Sequence, residues 1–206
     1  MSTEKLAFLM GAKQFSKPIE DACIRWGIVD GRDKARFIAQ LHVESGGFSR
    51  IEENLNYSAS RLVQVFPGRN GLTSAGAKGL AAAGPRAVAN FIYGGAWGAK
   101  NLGNIEPDDG WNFRGRGLIQ ITGRSNYRTA SMGMFGDHRL LEEPDMLLLP
   151  HYAADSAAWF WYDRKLNGVE DVREVTKKIN AGLMELTKRQ TQTERAYDLL
   201  DFLIKP

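Results

Sequence analysis

Two glutamates are placed where side chains of their type could do chemistry. Glu44 closes the run Phe37-Ile38-Ala39-Gln40-Leu41-His42-Val43-Glu44, just ahead of Gly46-Gly47, and Glu53 follows within Glu52-Glu53-Asn54-Leu55-Asn56-Tyr57-Ser58. Phe37, Ile38 and Leu41 keep helical spacing and a Gly-Gly pair is an ordinary helix stop, so Glu44 is expected where the last turn of a mostly buried helix meets a cleft. A carboxyl group against apolar walls is hard to ionise, which would raise its pKa and let it hold a proton for transfer. Glu53 falls in a polar segment, where hydration and amide partners would keep it ionised. One protonated and one ionised carboxyl group facing each other is the arrangement that hydrolyses a glycosidic bond. Glutamates near helix ends are also common for no chemical reason, and spacing alone leaves that reading open.

The elements that would carry these residues are mostly helical. Residues 4–15 and 19–26 read as short amphipathic helices, the second closed by Gly27, and Asp33 is the expected N-cap of the helix that delivers Glu44. Residues 57–66 form a helix capped by Ser58 and stopped by Phe66-Pro67-Gly68. Pro85 opens a helix through Tyr93, and residues 94–110, rich in glycine, read as a long loop. Alternation across Leu118-Ile119-Gln120-Ile121-Thr122 predicts a short strand with Gln120 and Thr122 on its polar face. Residues 152–165, 169–179 and 188–204 are helical, with Trp159, Phe160 and Trp161 in the core and Asn180 at a helix C-terminus, where its side chain can serve the backbone alone.

Composition bounds the class. A chain of 206 residues with 43% hydrophobic and 25% charged residues is an ordinary globular protein, expected as one domain over residues 1–206. Its single cysteine, Cys23, permits no intramolecular disulfide and no cysteine metal cluster, which fits a reducing compartment. The apolar run Leu6-Ala7-Phe8-Leu9-Met10 is short for a signal peptide and follows an acid, Glu4, and no run is long enough to span a bilayer, so the expectation is cytosolic synthesis without membrane insertion. A net charge of +3 and a pI near 9.0 favour anionic partners, but the basic residues are scattered and form no nucleic-acid tail.

Other chemistries lack their residues. His42-Val43-Glu44 has no second histidine one turn on, which excludes the zinc-protease helix, and neither a G-x-S-x-G elbow nor a Cys–His pair is present. Gly115-Arg116-Gly117 lacks the lysine or third glycine of a phosphate-cradling loop. No metal and no cofactor is implied.

Three stretches together resemble glycoside hydrolase family 19, the chitinase-like family that includes many bacteriophage endolysins. They are Gln40-Leu41-His42-Val43-Glu44-Ser45-Gly46-Gly47-Phe48, then Glu53-Asn54-Leu55-Asn56-Tyr57-Ser58-Ala59, then Tyr93-Gly94-Gly95 with the block from Arg114-Gly115-Arg116-Gly117 to Asn126-Tyr127. With Val175 to Gly182, the likeness covers residues 33–195. It implies Glu44 as general acid, Glu53 rather than Glu52 as general base, and Thr122 as the hydroxyl that helps hold the attacking water in an inverting mechanism. It further implies Gln120, Asn126 and Asn180 as substrate-contacting or supporting residues and Arg195 as a basic residue near the site; Tyr57 is added as a candidate sugar-stacking ring. Val43 separates His42 from Glu44, whereas many relatives place a histidine next to the acid, and Ser125 stands where some chitinases carry tyrosine.

The resulting expectation is a mainly α, lysozyme-like, two-lobed helical domain with a small β segment beside the active-site cleft and no separate wall-binding module. Its expected substrate is the glycan strand of peptidoglycan, cut by a monomeric muramidase-type endolysin held in the host cytoplasm until another protein's pore releases it to the wall. A chitinase acting on N-acetylglucosamine polymers, a non-catalytic wall-glycan binding module and a secreted antibacterial effector are the alternatives.

Overall fold

The computed structural model describes residues Ser2–Lys205; Met1 and Pro206, the ends of the expected 1–206 domain, lie outside them. In chain order the helices are α1 (Thr3–Leu9), α2 (Ser16–Arg25), α3 (Gly31–Glu44), α4 (Ala59–Val65), α5 (Ser74–Ala82), α6 (Pro85–Ile92) and α7 (Gly95–Leu102). They continue with α8 (Asp109–Asn112), α9 (Arg124–Phe135), α10 (Arg139–Glu142), α11 (Pro150–Asp163), α12 (Val172–Ile179) and α13 (Leu186–Ile204). The chain forms two compact units: one takes the residues up to Ile51, Gly117–Gln120 and everything from Met146 on, the other takes Glu52–Arg116 and Ile121–Asp145.

The first unit is built around α3. Its apolar stripe, Phe37, Ile38 and Leu41, is fully buried with Leu6, Phe15, Ile19 and Trp161, while α13 lies along α3 and α11 packs on α2. Trp161 meets Phe37 edge-on, with ring centroids 5.3 Å apart. Cys23 belongs to this core, where burial pushes its thiol up to about 12 and leaves it unreactive. The N-cap of α3 is Asp30 instead of the expected Asp33: its side chain accepts the N–H groups of Arg32 and Asp33 at 2.8 and 3.0 Å. Asp33 is buried inside the first turn, ion-paired with Arg36 and accepting the Gly168 N–H.

The second unit gathers Leu55, Leu62, Leu72, Val88 and Ile92 into its own core. Ser58 caps α4 by accepting the Arg61 N–H, and Pro85 opens α6, both as the sequence predicts. The expected loop over residues 94–110 is instead mostly helical: α7 fills its first half and ends at Gly103, in the left-handed conformation, and α8 begins at its end. Here glycine serves close packing as well as turns, since a Cβ on Gly110 would meet the Ala89 carbonyl oxygen at 2.4 Å.

The expected β segment is absent: among the described residues only isolated antiparallel bridges occur, Glu52 with Arg116 and Arg116 with Ile121. Gly117 at φ +79° and Gln120 at φ +57° reverse the chain within four residues. The Arg116 and Ile121 backbones therefore bond each other, at 2.9 and 3.2 Å, with no room for a ladder to extend. Five alternating residues were too few to distinguish a strand from a turn whose Leu118 and Ile121 are buried and whose Ile119 and Gln120 are half-buried.

Candidate active site

Glu44 ends α3 as the sequence predicts. The Gly47 N–H reaches back to the His42 carbonyl at 2.7 Å and the Gly46 N–H to that of Val43 at 3.2 Å, closing the helix with both glycines at positive φ. The surroundings of Glu44 are not the apolar walls expected. Its carboxylate is ion-paired with the Arg189 guanidinium, which is almost wholly buried. Arg189 in turn donates to the Gln40 side-chain oxygen at 2.7 Å and to the Met184 carbonyl at 3.0 Å, so three groups fix its plane. Gln40 precedes Glu44 by one helical turn, which puts both side chains on the α3 face that meets Arg189.

Arg189 is the residue that sequence reasoning passed over. A signal for it existed: Arg189, Thr193, Ala196 and Leu200 recur at helical spacing along α13 and are all buried, so an arginine lies on an otherwise inward-facing stripe. Arg195, the expected basic residue, is exposed and its guanidinium reaches the Leu9 carbonyl at 3.4 Å. Arg195 and Lys188 also act on His42, whose imidazole is pushed down by burial first and by these cations second. The His42 ring meets Phe48 edge-on with centroids 5.7 Å apart, and its buried Nδ1 has no hydrogen-bond partner among the described residues.

Glu53, in the second unit, is held by dipoles. The Tyr93 hydroxyl donates to one carboxylate oxygen and the Gly115 N–H to the other at 3.2 Å, while the Glu53 N–H donates to the Gly115 carbonyl at 2.9 Å. Burial pushes the Glu53 carboxyl above the usual carboxylate range, against the lowering by Tyr93, Gly115 and the Arg114 charge. The group is therefore partly buried and held by protein dipoles, where the sequence suggested hydration. Its neighbour Glu52 is distinguished by its partner, for it accepts from Arg114, whose guanidinium also stacks 3.9 Å from the Trp111 ring centroid.

The Gly-Arg-Gly to Asn-Tyr block now has a physical reading. Buried Arg116 donates to the Asn112 carbonyl at 2.7 Å and the Tyr127 hydroxyl at 2.9 Å, and pairs with Asp145 at 2.6 Å. The Tyr127 hydroxyl in turn donates to the Arg114 carbonyl at 2.7 Å. These bonds grip residues 114 and 116 on either side of Gly115, and so fix the N–H that meets Glu53.

The other expected site residues are dispersed between the units. Half-buried Thr122 and exposed Asn126 belong to the second unit, where the Asn126 amide donates to the Thr122 carbonyl at 2.7 Å. Tyr57, in the same unit, meets Phe66 edge-on and lines a cavity of about 240 Å³ with Leu55, Ser58, Pro85 and Val88. Gln120 belongs to the first unit and donates to the Gly117 carbonyl at 2.9 Å; its left-handed backbone had no sequence signal. Asn180, also in the first unit, ends α12 and accepts the Gly182 N–H at 3.1 Å, the backbone role its position suggested.

The first unit thus presents one carboxylate paired with a guanidinium, and the second unit another held by neutral donors. No family model matches the chain. A glycosyl hydrolase family 19 domain-containing protein of Haemophilus influenzae is 37% identical over 165 residues, covering 79% of this chain and 78% of that protein. An Arabidopsis thaliana endochitinase is 35% identical over 99 residues, 47% of this chain and 34% of its own length. Chitinase C of Streptomyces griseus superposes with a TM-score of 0.61 over 96% of this chain and 91% of that one, at 18% identity. The chain belongs to glycoside hydrolase family 19, with the all-helical, lysozyme-like fold of its chitinases. No helix among the described residues is long and apolar enough to cross a membrane.

Proposed function

We propose that this family 19 hydrolase cleaves the glycan strands of bacterial peptidoglycan with inversion, in the manner of an endolysin muramidase. Glu44 protonates the leaving oxygen, Glu53 takes a proton from the attacking water, and Thr122 orients that water. The observation that carries the reading is the contrast in how the two carboxyl groups are held. Arg189, itself bonded to Gln40, holds the Glu44 carboxyl group in a fixed orientation at the end of α3. Burial raises the proton affinity of Glu53, which favours abstraction. The excess of basic residues and the pI near 9.0 support an anionic wall as the polymer. Release from a phage-infected cell through another protein's pore accords with this reading.

A chitinase is the second reading, favoured by the likeness to the Arabidopsis endochitinase and to the fold of Streptomyces chitinase C. One experiment separates the two. Wild type and Glu44→Gln are incubated with Gram-negative peptidoglycan and with soluble chitin oligomers, and products are examined for new reducing ends and by mass. New reducing ends on N-acetylmuramic acid, lost in Glu44→Gln, are expected. Turnover of the chitin oligomers alone would move the assignment to chitinase, and cut peptides or an unimpaired variant would overturn the two-carboxylate mechanism.

A further inference from the structure

The first unit holds a cavity of about 640 Å³ lined by Asp30, Arg32, Asp33, Arg36, Gly168, Glu170 and Tyr197, and by neither Glu44 nor Glu53. Most of the polar groups in its wall are already engaged. Asp30 caps α3, Asp33 holds Arg36 and the Gly168 N–H, and Arg36 donates to the Tyr197 hydroxyl at 2.8 Å. Arg36, 4% exposed, keeps a buried Nε–H without any partner among the described residues. Two exposed charges of opposite sign also line the cavity. The Arg32 guanidinium lies 4.4 Å from the Tyr197 ring centroid and is ion-paired with Asp201 at 3.7 Å, and the Glu170 carboxylate has no ion-pair or hydrogen-bond partner among the described residues. Arg32 and Glu170 line one cavity and do not pair with each other. Tyr197 adds a hydroxyl whose oxygen already accepts from Arg36, leaving its proton to donate.

The geometry points to a binding site for a zwitterion, an ammonium and a carboxylate on one small ligand, bridging Glu170 and Arg32. Arg32 receives the ligand carboxylate in exchange for its exposed pair with Asp201, Glu170 the ammonium, and the Tyr197 hydroxyl donates a further bond to the carboxylate. A ligand with only one of the two charges would satisfy one residue and leave the other as it stands. The cavity is large for a single amino-acid head and accommodates the chain that carries it. Resting on the reading of the substrate as peptidoglycan, the ligand class is the free amino-acid head of an uncrosslinked stem peptide, so that the first unit would grip the peptide while the carboxylates act on the glycan.

The test is titration of the protein with meso-diaminopimelic acid, followed by backbone amide shifts in NMR, beside glutaric acid and cadaverine as carboxylate-only and ammonium-only probes. Saturable shifts at residues 30–36, 168–170 and 197 with the zwitterion, weakened at least about tenfold for either single-charge probe, are expected. Arg32→Ala and Glu170→Gln, both at exposed positions, should each weaken the zwitterion by about tenfold while leaving hydrolysis of stem-free glycan unchanged. No saturable shift, equal response to all three probes, or binding that survives both substitutions would overturn the site. Because glycan hydrolysis is read in a separate assay, failure here and failure of the peptidoglycan assignment are distinguishable.

Discussion

Glu44 and Glu53 are carboxylates of similar partial burial, yet the groups that hold them differ in kind. Glu44 meets a full positive charge, Arg189, itself pinned by Gln40 and a carbonyl; Glu53 meets a phenol and an amide, with the Arg114 charge acting on it through space. A guanidinium compensates a charge outright, whereas dipoles only lessen the cost of burying it. A charged clamp on one carboxyl group and a neutral clamp on the other give the two groups different sensitivities to the loss of a partner.

The most severe way to break the comparison is to neutralise each side in turn. Glu44→Gln and Glu53→Gln should each lower kcat by roughly 10²–10⁴-fold on the cleaved polymer, the range of a lost general acid or base. Retention of wild-type kcat by either variant in a reducing-end assay would remove that residue from the mechanism.

Arg189→Met tests the charged clamp. It leaves the partly buried Glu44 carboxylate without its cation, and folding should weaken by about 3 kcal/mol, the lower end for breaking a buried pair because Glu44 retains some contact with water. Denaturant midpoints of variant and wild type measure this, and a loss below about 1 kcal/mol would show that solvent supplies most of the compensation.

Tyr93→Phe tests the neutral clamp. The hydroxyl favours the ionised form of Glu53, so its removal raises the carboxyl further, and the folded state loses about 1 kcal/mol at neutral pH. As base, Glu53 must be ionised, so the acid limb of kcat/KM in wild type should lie above glutamate's ordinary 4.5 and move to higher pH in Tyr93→Phe. An unmoved limb would detach Glu53 from the ionisation that controls activity.

The smallest effect is one of sign. The folded protein binds the Glu53 proton more tightly than the unfolded chain, so the group's contribution is most favourable below pH 4.5 and declines as pH rises through the raised value. Glu53→Gln should therefore melt slightly above wild type at neutral pH and lose that gain near pH 4, whereas the charged clamp predicts that Glu44→Gln melts lower at neutral pH. Equal shifts in the two variants would erase the distinction between the clamps.

What the sequence made legible was local. The apolar stripe of α3 and its double-glycine stop are encoded within about a dozen residues, and the structure reproduces both. The environment of Glu44 was not legible, because its decisive partner lies 145 residues further along and a helix-forming arginine gives no hint of what it will meet. The family likeness included Tyr93 without a role, and only the fold of the second unit brings its hydroxyl to Glu53. Residues 118–122 misled for the opposite reason: their alternation is real, but Gly117 and Gln120 in left-handed conformations turn it into a reversal. Residues 94–110 look like a loop because glycine is a poor helix former, and packing against neighbouring helices overrides that preference.

The long separation of Glu44 from Arg189 has a consequence in time. On a ribosome the second unit, nearly continuous from Glu52 to Asp145, is complete while α13 is still unmade, so Glu44 waits through the synthesis of 145 further residues for the cation that holds it. A nascent or truncated chain lacking α13 carries both carboxyl groups but not the clamp on the first, which makes the order of synthesis itself a delay on the finished site.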